Sequence, residues 1–344
     1  MQMMETTNEL PSRKLAAVII MNWNGAKLLE QFLPSVCRYT NGDLADVIVA
    51  DNGSTDNSLE LLTKRFPEVK VLPFNENYGY AGGYNEAIGR LRQYRFSVLL
   101  NSDVEVTPRW IEPILDYMQQ HDDVMACQPK ILSYADRRKF EYAGAAGGFL
   151  DCHGFPYCRG RIFDSIEEDC GQYDGAPADV FWASGAALFV RTESYLSLGG
   201  LDRSFFAHME EIDLCWRMHL AGGRVAVVPQ STVYHLGGGS LPASNPRKTY
   251  LNFRNNLLLM HKNMPADEGR RMLFVRRLYD TLAFFMFIAK LQWGNARAVL
   301  KAHNDFRKMK KQYNSYPGKN LLGTFPGTNC NIIIDYYLRH RRRY

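Results

Sequence analysis

Polar side chains that could bind a metal ion or accept a proton recur where apolar runs of this chain end. Asn22 and Asp51 each close an apolar run, and Asn101 and Asp103 follow another one. Divalent cations such as Mg²⁺ take oxygen ligands and are often held by one or two carboxylates together with substrate phosphates. These residues are therefore candidates for a site that binds a phosphorylated ligand, with Asp103 as a candidate metal ligand.

A cluster of acidic residues stands at the start of a segment with helical spacing. Its members are Glu210, Glu211 and Asp213. The apolar side chains that carry this spacing are Ile212, Cys215 and Trp216. The spacing predicts a helix with Glu210 and Glu211 in its first turn, where the helix dipole favours anions. We expect at least one of the two to stay ionised at neutral pH and to serve as a general base. A solvated helix in which Asp213 pairs with Arg217 at i,i+4 is the alternative.

These polar groups need a scaffold that brings the ends of several apolar runs together. Four short apolar runs have the length of buried strands: 15–21, 47–50, 69–72 and 96–100. Apolar residues at helical spacing lie between them, for example Leu29, Phe32 and Leu33. Strands that alternate with helices predict a mostly parallel sheet flanked by helices, and such sheets bind ligands beyond the carboxyl ends of their strands. The sequence therefore predicts an α/β fold.

The turn from residue 51 to residue 56 reads Asp-Asn-Gly-Ser-Thr-Asp. Gly53 permits a tight backbone, Ser54 or Thr55 can cap the next helix, and Asp51 is expected to face the crevice. There its carboxylate can accept a hydrogen bond from the imide N–H of uracil or thymine. A plain turn with a capping residue is the alternative. The glycine-rich segment 75–85 lacks the Gly-x-Gly-x-x-Gly spacing of dinucleotide folds, so a nicotinamide enzyme is not supported.

Charge divides the chain into an acidic part and a basic part. Residues 1–246 hold 21 Lys and Arg against 31 Asp and Glu, whereas residues 247–344 hold 20 against 5. We expect a flexible N-terminus at 1–14, a main domain at 15–245 and a basic, helical C-terminal region at 246–344. The polar N-terminus lacks the apolar core of a signal peptide, and seven unevenly spaced cysteines fit no disulfide framework. These features predict a cytoplasmic protein.

The basic C-terminal region contains one strongly apolar stretch, residues 282–289. It is far shorter than the ~20 residues of a membrane-spanning helix. Basic residues surround it: Arg276, Arg277, Lys290 and Arg297. This composition predicts a helix lying in an anionic membrane surface, with the protein peripheral on the cytoplasmic face. A helix packed on the main domain with solvated basic flanks is the alternative. Nucleic-acid binding is not expected, because no recognised binding module accompanies the basic residues.

These segments resemble the family 2 glycosyltransferases of GT-A fold, particularly their bacterial rhamnosyltransferase-like branch. The resemblance runs from about residue 15 to residue 240 and rests on five motifs in family order. The motifs are Ile20-Met21-Asn22-Trp23-Asn24, Val49-Ala50-Asp51-Asn52-Gly53-Ser54-Thr55-Asp56, Asn101-Ser102-Asp103, Gly199-Gly200-Leu201-Asp202 before the Glu210-Glu211-Ile212-Asp213 helix, and Tyr234-His235. The resemblance implies a GT-A catalytic domain at 15–245 with a helical C-terminal extension.

The resemblance also implies a role for each matching residue. The donor-binding residues are expected to be Asn22, Asp51, Asn77, Gly82, Asn101 and Asp103. Asp103 is expected to contact a Mg²⁺ or Mn²⁺ ion and the donor phosphates, and His235 to add an imidazole to the metal. Glu211, the second acidic residue of the helix, matches the position of the catalytic base.

The chain departs from the family pattern at two of these positions. Asn101 stands where many members have the first aspartate of an Asp-x-Asp motif. The metal is therefore expected to rest on Asp103 and His235, with Glu105 as a further candidate. Glu211 occupies a position that is more often aspartate, and its extra methylene moves the carboxylate outward. The alternative bases are Glu210 and Asp213.

This constellation predicts an inverting glycosyltransferase that moves a sugar from a dTDP- or UDP-linked donor, with rhamnose as the candidate sugar, to a hydroxyl of a glycan or lipid-linked acceptor. Such a reaction belongs to the synthesis of cell-surface polysaccharides. Residues 182–185 and the loop 142–155 are expected to line the acceptor side, and residues 237–240 with Arg247 and Lys248 to close over the diphosphate. A nucleotidyltransferase and a non-catalytic, membrane-associated protein that binds nucleotide sugars are the alternatives.

Overall fold

The computed structural model of the protein describes residues 14–141, 143–237, 245–314, 316 and 318–343. Its strands are β1 (Ala16–Asn22), β2 (Ala45–Asp51), β3 (Lys70–Pro73), β4 (Phe96–Leu100), β5 (Val104–Val106), β6 (Val124–Ser133), β7 (Gly148–Leu150), β8 (Pro156–Cys158), β9 (Arg161–Ile162), β10 (Ser165–Ile166), β11 (Ala178–Asp179), β12 (Ala187–Arg191) and β13 (Arg224–His235). Its α-helices are α1 (Ala26–Tyr39), α2 (Ser58–Arg65), α3 (Gly79–Arg90), α4 (Glu112–Gln120), α5 (Thr192–Ser197), α6 (Glu210–Leu220), α7 (Pro246–Asn263), α8 (Ala266–Ala289), α9 (Trp293–Met309) and α10 (Ile332–Tyr337).

A nine-stranded sheet forms the centre of the molecule. Its order is β11-β13-β6-β12-β4-β1-β2-β3, and β5 pairs with β13 outside this path. Strands β1 to β4, β6 and β13 run in one direction, whereas β5, β11 and β12 run the opposite way. The four predicted strands are confirmed as β1 to β4, and the predicted α/β fold with a mostly parallel sheet is confirmed as well.

Helices cover both faces of the sheet because side chains alternate along a strand. In β1, Ala17 and Ile19 belong to a core that includes Tyr84 of α3. Ile20 belongs to the core on the other face, which includes Leu29 of α1. A strand that is buried on both faces reads as a continuous apolar run, as the sequence of β1 does. Since β1, β2 and β4 are parallel neighbours, the residues that follow them lie together at one edge of the sheet.

A second, smaller sheet has the order β10-β9-β8-β7. The C-terminal part of the chain packs against it. The hydroxyl of Tyr157 donates a hydrogen bond to the carbonyl of Gly327, and the backbone N–H of Ile332 donates to Asp151. The helical C-terminal extension that the resemblance implies is therefore in contact with the segment expected to lie on the acceptor side.

Helices α7, α8 and α9 pack against one another. Arg276 of α8 is only 3% exposed and is paired with Asp280, and its guanidinium carbon lies 3.5 Å from the ring centroid of Phe155. The expectation that Arg276 adds charge to a membrane-facing surface is therefore wrong, because packing buries this guanidinium. Across the part of the chain that the structure describes, no helix is both long and apolar enough to cross a bilayer.

Candidate active site

The structure brings Asp103 and His235 together at the carboxyl end of the sheet. Asp103 lies in the turn between β4 and β5, and β5 pairs with the end of β13 so that Val104 stands opposite His235. The Nε2 atom of His235 lies 3.2 Å from Oδ1 of Asp103. A carboxylate oxygen and an imidazole nitrogen are thus both within reach of one small cation.

Glu141 belongs to the same cluster, although the sequence analysis did not identify it. Its Oε2 atom lies 3.5 Å from Nδ1 of His235, the ring nitrogen that does not face Asp103. Burial lowers the pKa of His235, but the two flanking carboxylates outweigh this effect and raise the pKa to about 10. Glu141 stands in no motif; its backbone N–H donates to the carbonyl of Ile131 on β6, and β6 is the parallel neighbour of β13.

The side chains of this cluster can be compared with the ligands that the metal implied by the resemblance would need. Among the described residues, no group of three or more His, Cys, Asp or Glu side chains is placed to hold a metal ion. Asp103 and His235 nevertheless fit a cation that takes its other ligands from substrate phosphates, provided that the metal displaces the proton which the two carboxylates hold on His235. Glu141 is placed to orient the imidazole from its other nitrogen, as carboxylates do in histidine-metal sites. Glu105 is instead paired with Arg137 at 2.8 Å, which leaves it out of the candidate metal site.

Asn22 and Asp51 lie side by side because the parallel register of β1 and β2 pairs them directly. Asn22 Nδ2 donates a hydrogen bond to Asp51 Oδ1 at 2.8 Å, and the backbone N–H of Ser54 donates to Asp51 Oδ2. Asp51 is only 2% exposed, so these partners enclose its carboxylate, and its expected orientation toward the crevice stays a prediction. The Oδ1 atom of Asn22 is buried and has no hydrogen-bond partner in the described structure.

Asn77 lies in the glycine-rich segment between β3 and α3, and Gly82 lies in α3 itself. Asn77 Oδ1 accepts a hydrogen bond from Asn52 Nδ2 at 2.9 Å, which ties this segment to the turn after β2. A Cβ atom at Gly82 would lie 3.4 Å from Nε of Arg203. Gly82 therefore allows Arg203, an exposed cation just before α6, to approach α3 closely.

Glu210 and Glu211 occupy the first turn of α6, so the predicted helix is confirmed. Both side chains have a buried Oε2 atom without a hydrogen-bond partner among the described residues. Burial raises the pKa of Glu211 to about 7, against the opposing effect of backbone N–H groups at the helix N-terminus. Burial and the charge of Glu211 raise the pKa of Glu210 well above its ordinary value. Burial thus opposes the helix dipole that was expected to keep a carboxylate charged.

Tyr80 of α3 connects this acidic pair to the end of β4. Its hydroxyl donates a hydrogen bond to the carbonyl of Gly185 at 2.9 Å and lies 3.4 Å from Oδ1 of Asn101. A Cβ atom at Gly185 would lie 3.8 Å from Cβ of Glu211. Asn101 and Glu211 thus share the neighbourhood of Tyr80 and Gly185, and the candidate base stands near the turn that carries Asp103.

The loop that leads into α6 has an unusual backbone. Phe206, His208 and Met209 have φ angles of 67°, 68° and 73°, a left-handed conformation that costs on the order of 1–3 kcal/mol for each such residue. Asn255 of α7 holds the loop by donating Nδ2 hydrogen bonds to three of its carbonyl groups. Arg254 donates to two carbonyl groups of the same loop. Helix α7 therefore supports the active-site loop although the expected domain boundary lies at residue 245.

Asp213 has a different environment from the two glutamates. It is 0% exposed, Arg217 and Lys262 donate to its Oδ2 atom, and Asn263 donates to Oδ1. The ion pair with Arg217 that the sequence offers as the alternative is present, but it is buried rather than solvated. Because each carboxylate oxygen already accepts a hydrogen bond, these contacts favour a structural role for Asp213 in fastening α7 to α6.

The residues expected on the acceptor side have separate positions. Trp182 is buried, and its indole N–H donates to a backbone carbonyl, so it belongs to the core rather than to an open surface. Gly185, at the end of the same segment, lies beside Glu211. Tyr142 and residues 238–240 lie outside the described residues. Arg247 is described, and its guanidinium carbon lies over the ring of Phe206 at 4.9 Å from the centroid.

Residues 17–171 match the family model described as glycosyl transferase family 2. Residues 17–171 therefore belong to a family 2 glycosyltransferase domain. The glycosyltransferase is 28% identical over 233 residues to an N-acetylglucosaminyl-diphospho-decaprenol L-rhamnosyltransferase of Mycobacterium tuberculosis, over 63% of this chain and 75% of that relative. The resemblance to family 2 and to its rhamnosyltransferase-like members is thereby confirmed.

Solved structures of other glycosyltransferases share the fold of this glycosyltransferase. TarS of S. aureus in complex with UDP-GlcNAc aligns with a TM-score of 0.55 and 15% identity, over 85% of this chain and 80% of that chain. The mannosyltransferase PcManGT of Pyrobaculum calidifontis, in complex with GDP-Man and Mn²⁺, aligns with a TM-score of 0.50 and 15% identity, over 96% of this chain and 83% of that chain. At these identities the likeness establishes the fold alone, and the GT-A architecture is confirmed.

Proposed function

We propose that this glycosyltransferase is an inverting, metal-dependent enzyme that moves a sugar from a nucleoside-diphosphate sugar to a hydroxyl group. One observation carries the proposal: a candidate cation site and a candidate base lie near the same turn. Asp103 and His235 approach to 3.2 Å, and Glu211 has a carboxylate oxygen that is unpartnered in the described structure. A cation that binds diphosphate beside a base is what sugar transfer to a hydroxyl requires.

In this proposal Glu211 is the general base. It takes the proton of the acceptor hydroxyl while that oxygen attacks the anomeric carbon from the face opposite the departing nucleoside diphosphate, so the configuration at this carbon inverts. Asp103 and His235 would hold Mg²⁺ or Mn²⁺, which would neutralise charge on the diphosphate. Asp51 and Asn22 are proposed to bind the nucleotide base.

The substrates are proposed from the chemistry of the site and the name of a relative. We propose a dTDP- or UDP-linked donor, and rhamnose is the first sugar to test because the mycobacterial relative is named as a rhamnosyltransferase. That name also specifies an acceptor in which a sugar is linked through diphosphate to a lipid. We accordingly propose a glycan or lipid-linked acceptor and a role in the synthesis of cell-surface polysaccharide.

A panel of nucleotide sugars tests the proposal. Purified protein would be incubated with dTDP-rhamnose, UDP-GlcNAc or GDP-mannose and Mn²⁺, with and without EDTA, and the nucleotide products separated by chromatography. We expect nucleoside diphosphate to be released from the cognate donor only when the metal is present. Release of pyrophosphate from a nucleoside triphosphate and a sugar phosphate would instead support a nucleotidyltransferase. Donor binding without any product would support a non-catalytic binding protein.

We also propose that α8 attaches the protein to an anionic membrane surface. Phe274, Leu278, Leu282 and Phe285 are each 57 to 61% exposed, and their spacing of three or four residues places them in one stripe along the helix. Exposed basic residues accompany the stripe: Arg271, Arg277 and Lys290. An apolar stripe with basic neighbours favours anionic lipid, and each basic group near the surface adds about 1 kcal/mol. The stripe begins earlier than the apolar stretch at 282–289.

Leu278→Glu combined with Leu282→Glu is expected to weaken binding to phosphatidylglycerol vesicles by at least about tenfold, because the change places two negative charges in the apolar stripe. Sedimentation with vesicles measures the effect. Leu59→Glu is a matched control, since Leu59 is an exposed leucine on α2, away from the stripe. Unaltered binding by the double variant, or equal binding to neutral phosphatidylcholine, would favour a helix that merely packs on the domain.

A further inference from the structure

A basic pocket lies between the first part of α7 and the first half of α9. Its volume is about 540 Å³. Four cationic side chains line it: Arg247, Arg254, Arg297 and Lys301. Phe206 and Tyr250 contribute aromatic surface to the same pocket. Cations together with aromatic rings suit a ligand that is anionic at one end and apolar nearby.

The positive charge of this pocket is only partly neutralised by the protein. Asp305 pairs with Lys301 and accepts a hydrogen bond from the hydroxyl of Tyr250. Arg254 directs its guanidinium to backbone carbonyl groups. Within the described part of the chain, neither Arg247 nor Arg297 is paired with a carboxylate. The pocket therefore keeps excess positive charge that a multiply charged anion can neutralise.

The pocket adjoins the loop that enters the catalytic helix. Phe206 forms part of its wall and belongs to the left-handed stretch four residues before Glu210. Arg254 lies in the pocket and also donates hydrogen bonds to carbonyl groups of that loop. The loop that leads into α6 thus connects the wall of the pocket with the candidate base, Glu211.

Two exposed apolar side chains of α9 are sequence neighbours of residues that line the pocket. Trp293 directly precedes Gly294 of the pocket lining and is 55% exposed, and Leu300 directly precedes Lys301 and is 58% exposed. Trp293 also follows the end of α8 by only a few residues. A ligand whose anionic group enters the pocket can therefore lay an attached hydrocarbon chain along the same part of the surface, toward the proposed membrane face.

We propose that this pocket binds the diphosphate of a lipid-linked acceptor. Arg247 and Arg297 are assigned to the diphosphate oxygens, which arginine side chains recognise with paired hydrogen bonds, and Trp293 and Leu300 to the first part of the lipid chain. The inference rests on the proposed transfer to a lipid-linked hydroxyl and adds the place where that acceptor is held. Fixing the diphosphate beside the loop before α6 brings the acceptor sugar close to Glu211.

Farnesyl diphosphate is a suitable soluble probe for this assignment. Calorimetry in the presence of EDTA prevents metal-dependent binding of the diphosphate at the donor site. We expect the wild-type protein to bind farnesyl diphosphate more tightly than either farnesol or inorganic pyrophosphate. Arg297→Ala, and more strongly Arg247→Ala with Arg297→Ala, should weaken this binding by at least about tenfold. Arg307→Ala removes an exposed arginine of α9 outside the pocket and should bind farnesyl diphosphate as the wild-type protein does.

Three results would overturn the assignment. The first is equal binding of farnesyl diphosphate by the wild-type protein and the double arginine variant, and the second is equal binding of farnesol. The third is loss of phosphatidylglycerol binding in Arg297→Ala with unchanged binding of farnesyl diphosphate, which would indicate a site for bulk lipid headgroups. A different result would contradict the proposed function. If the wild-type protein binds the probe through these arginines but releases nucleoside diphosphate from no donor, the pocket assignment stands and the transfer reaction does not.

Discussion

Glu211→Gln is expected to lower kcat by at least about 10²-fold while changing donor affinity little. The substitution removes a proton acceptor and nearly preserves the shape of the side chain, and general base catalysis typically contributes about 10²–10⁴-fold. Glu211 is the candidate because it matches the family position of the base and is half-buried beside Gly185. The rate of nucleoside diphosphate release measures turnover, and calorimetry measures donor affinity.

Two neighbouring variants serve as controls for the base. Glu210→Gln is expected to keep most of the turnover, because Glu211, rather than Glu210, matches the family position of the base and lies beside Gly185. Asp213→Asn is expected to lower the free energy of unfolding, since it weakens buried ion pairs with Arg217 and Lys262; breaking such a pair costs up to about 3–5 kcal/mol. Urea denaturation separates this loss from a catalytic one. If Glu211→Gln keeps normal turnover while the Glu210 or Asp213 variant is inactive, the base is another residue than Glu211.

The same assignment predicts how the wild-type rate depends on pH. Burial raises the pKa of Glu211 to about 7, so the base is protonated below this pH and ionised above it. We therefore expect kcat/KM to rise with pH through about 7 and to level off about one unit above it, because kcat/KM reports groups of the free enzyme. The rise should be absent from the residual activity of Glu211→Gln. A rise centred near the ordinary glutamate range would contradict the effect of burial on this carboxylate.

Asp103→Ala is expected to abolish metal-dependent binding of the donor. The change removes the oxygen ligand that lies 3.2 Å from Nε2 of His235, and a cation with so few protein ligands depends on each of them. Calorimetry with the cognate donor and Mn²⁺, repeated with EDTA, measures the metal-dependent part of the affinity. An unchanged affinity in the variant would remove Asp103 from the metal site.

Two further variants show whether the loss is specific to the metal site. Glu105→Ala removes an acidic side chain two residues along, and because Glu105 is paired with Arg137 we expect normal metal-dependent binding. Glu141→Gln should weaken metal-dependent binding by roughly 10–100-fold, the usual effect of losing a carboxylate that orients a metal-binding histidine. A large effect of Glu105→Ala would place that residue in the metal site after all.

The sequence by itself determined the scaffold and the family. Apolar periodicity is a local property, so β1 to β4 and the start of α6 could be located within a few residues of their observed ends. Alternation of strands and helices predicted parallel neighbours, and parallel neighbours place Asn22, Asp51 and Asn101 at one edge of the sheet. The motifs, read in order, pointed to family 2, which the match of residues 17–171 confirms.

The sequence could not predict which residues from distant segments support the site. Glu141 approaches His235 from a segment far away along the chain, and Asn255 of α7 holds the loop before α6. Tyr80 similarly connects Gly185 with the end of β4. None of these residues belongs to a motif that a spacing rule detects, because their partners are selected by the packing of elements rather than by local periodicity.

The tertiary structure alone decided the state of the carboxylates. In sequence, Glu211 stands at a helix N-terminus that favours an anion, but packing removes the water that would solvate its charge and raises its pKa. Asp213 has the spacing of a solvated ion pair, yet Lys262 from α7 reaches it and the pair is buried. Asp51 was expected to face the crevice, and the structure adds that Asn22 of the neighbouring strand donates a hydrogen bond to its carboxylate. The chemistry of a carboxylate depends on its exposure and its partners, and contacts between distant segments set both.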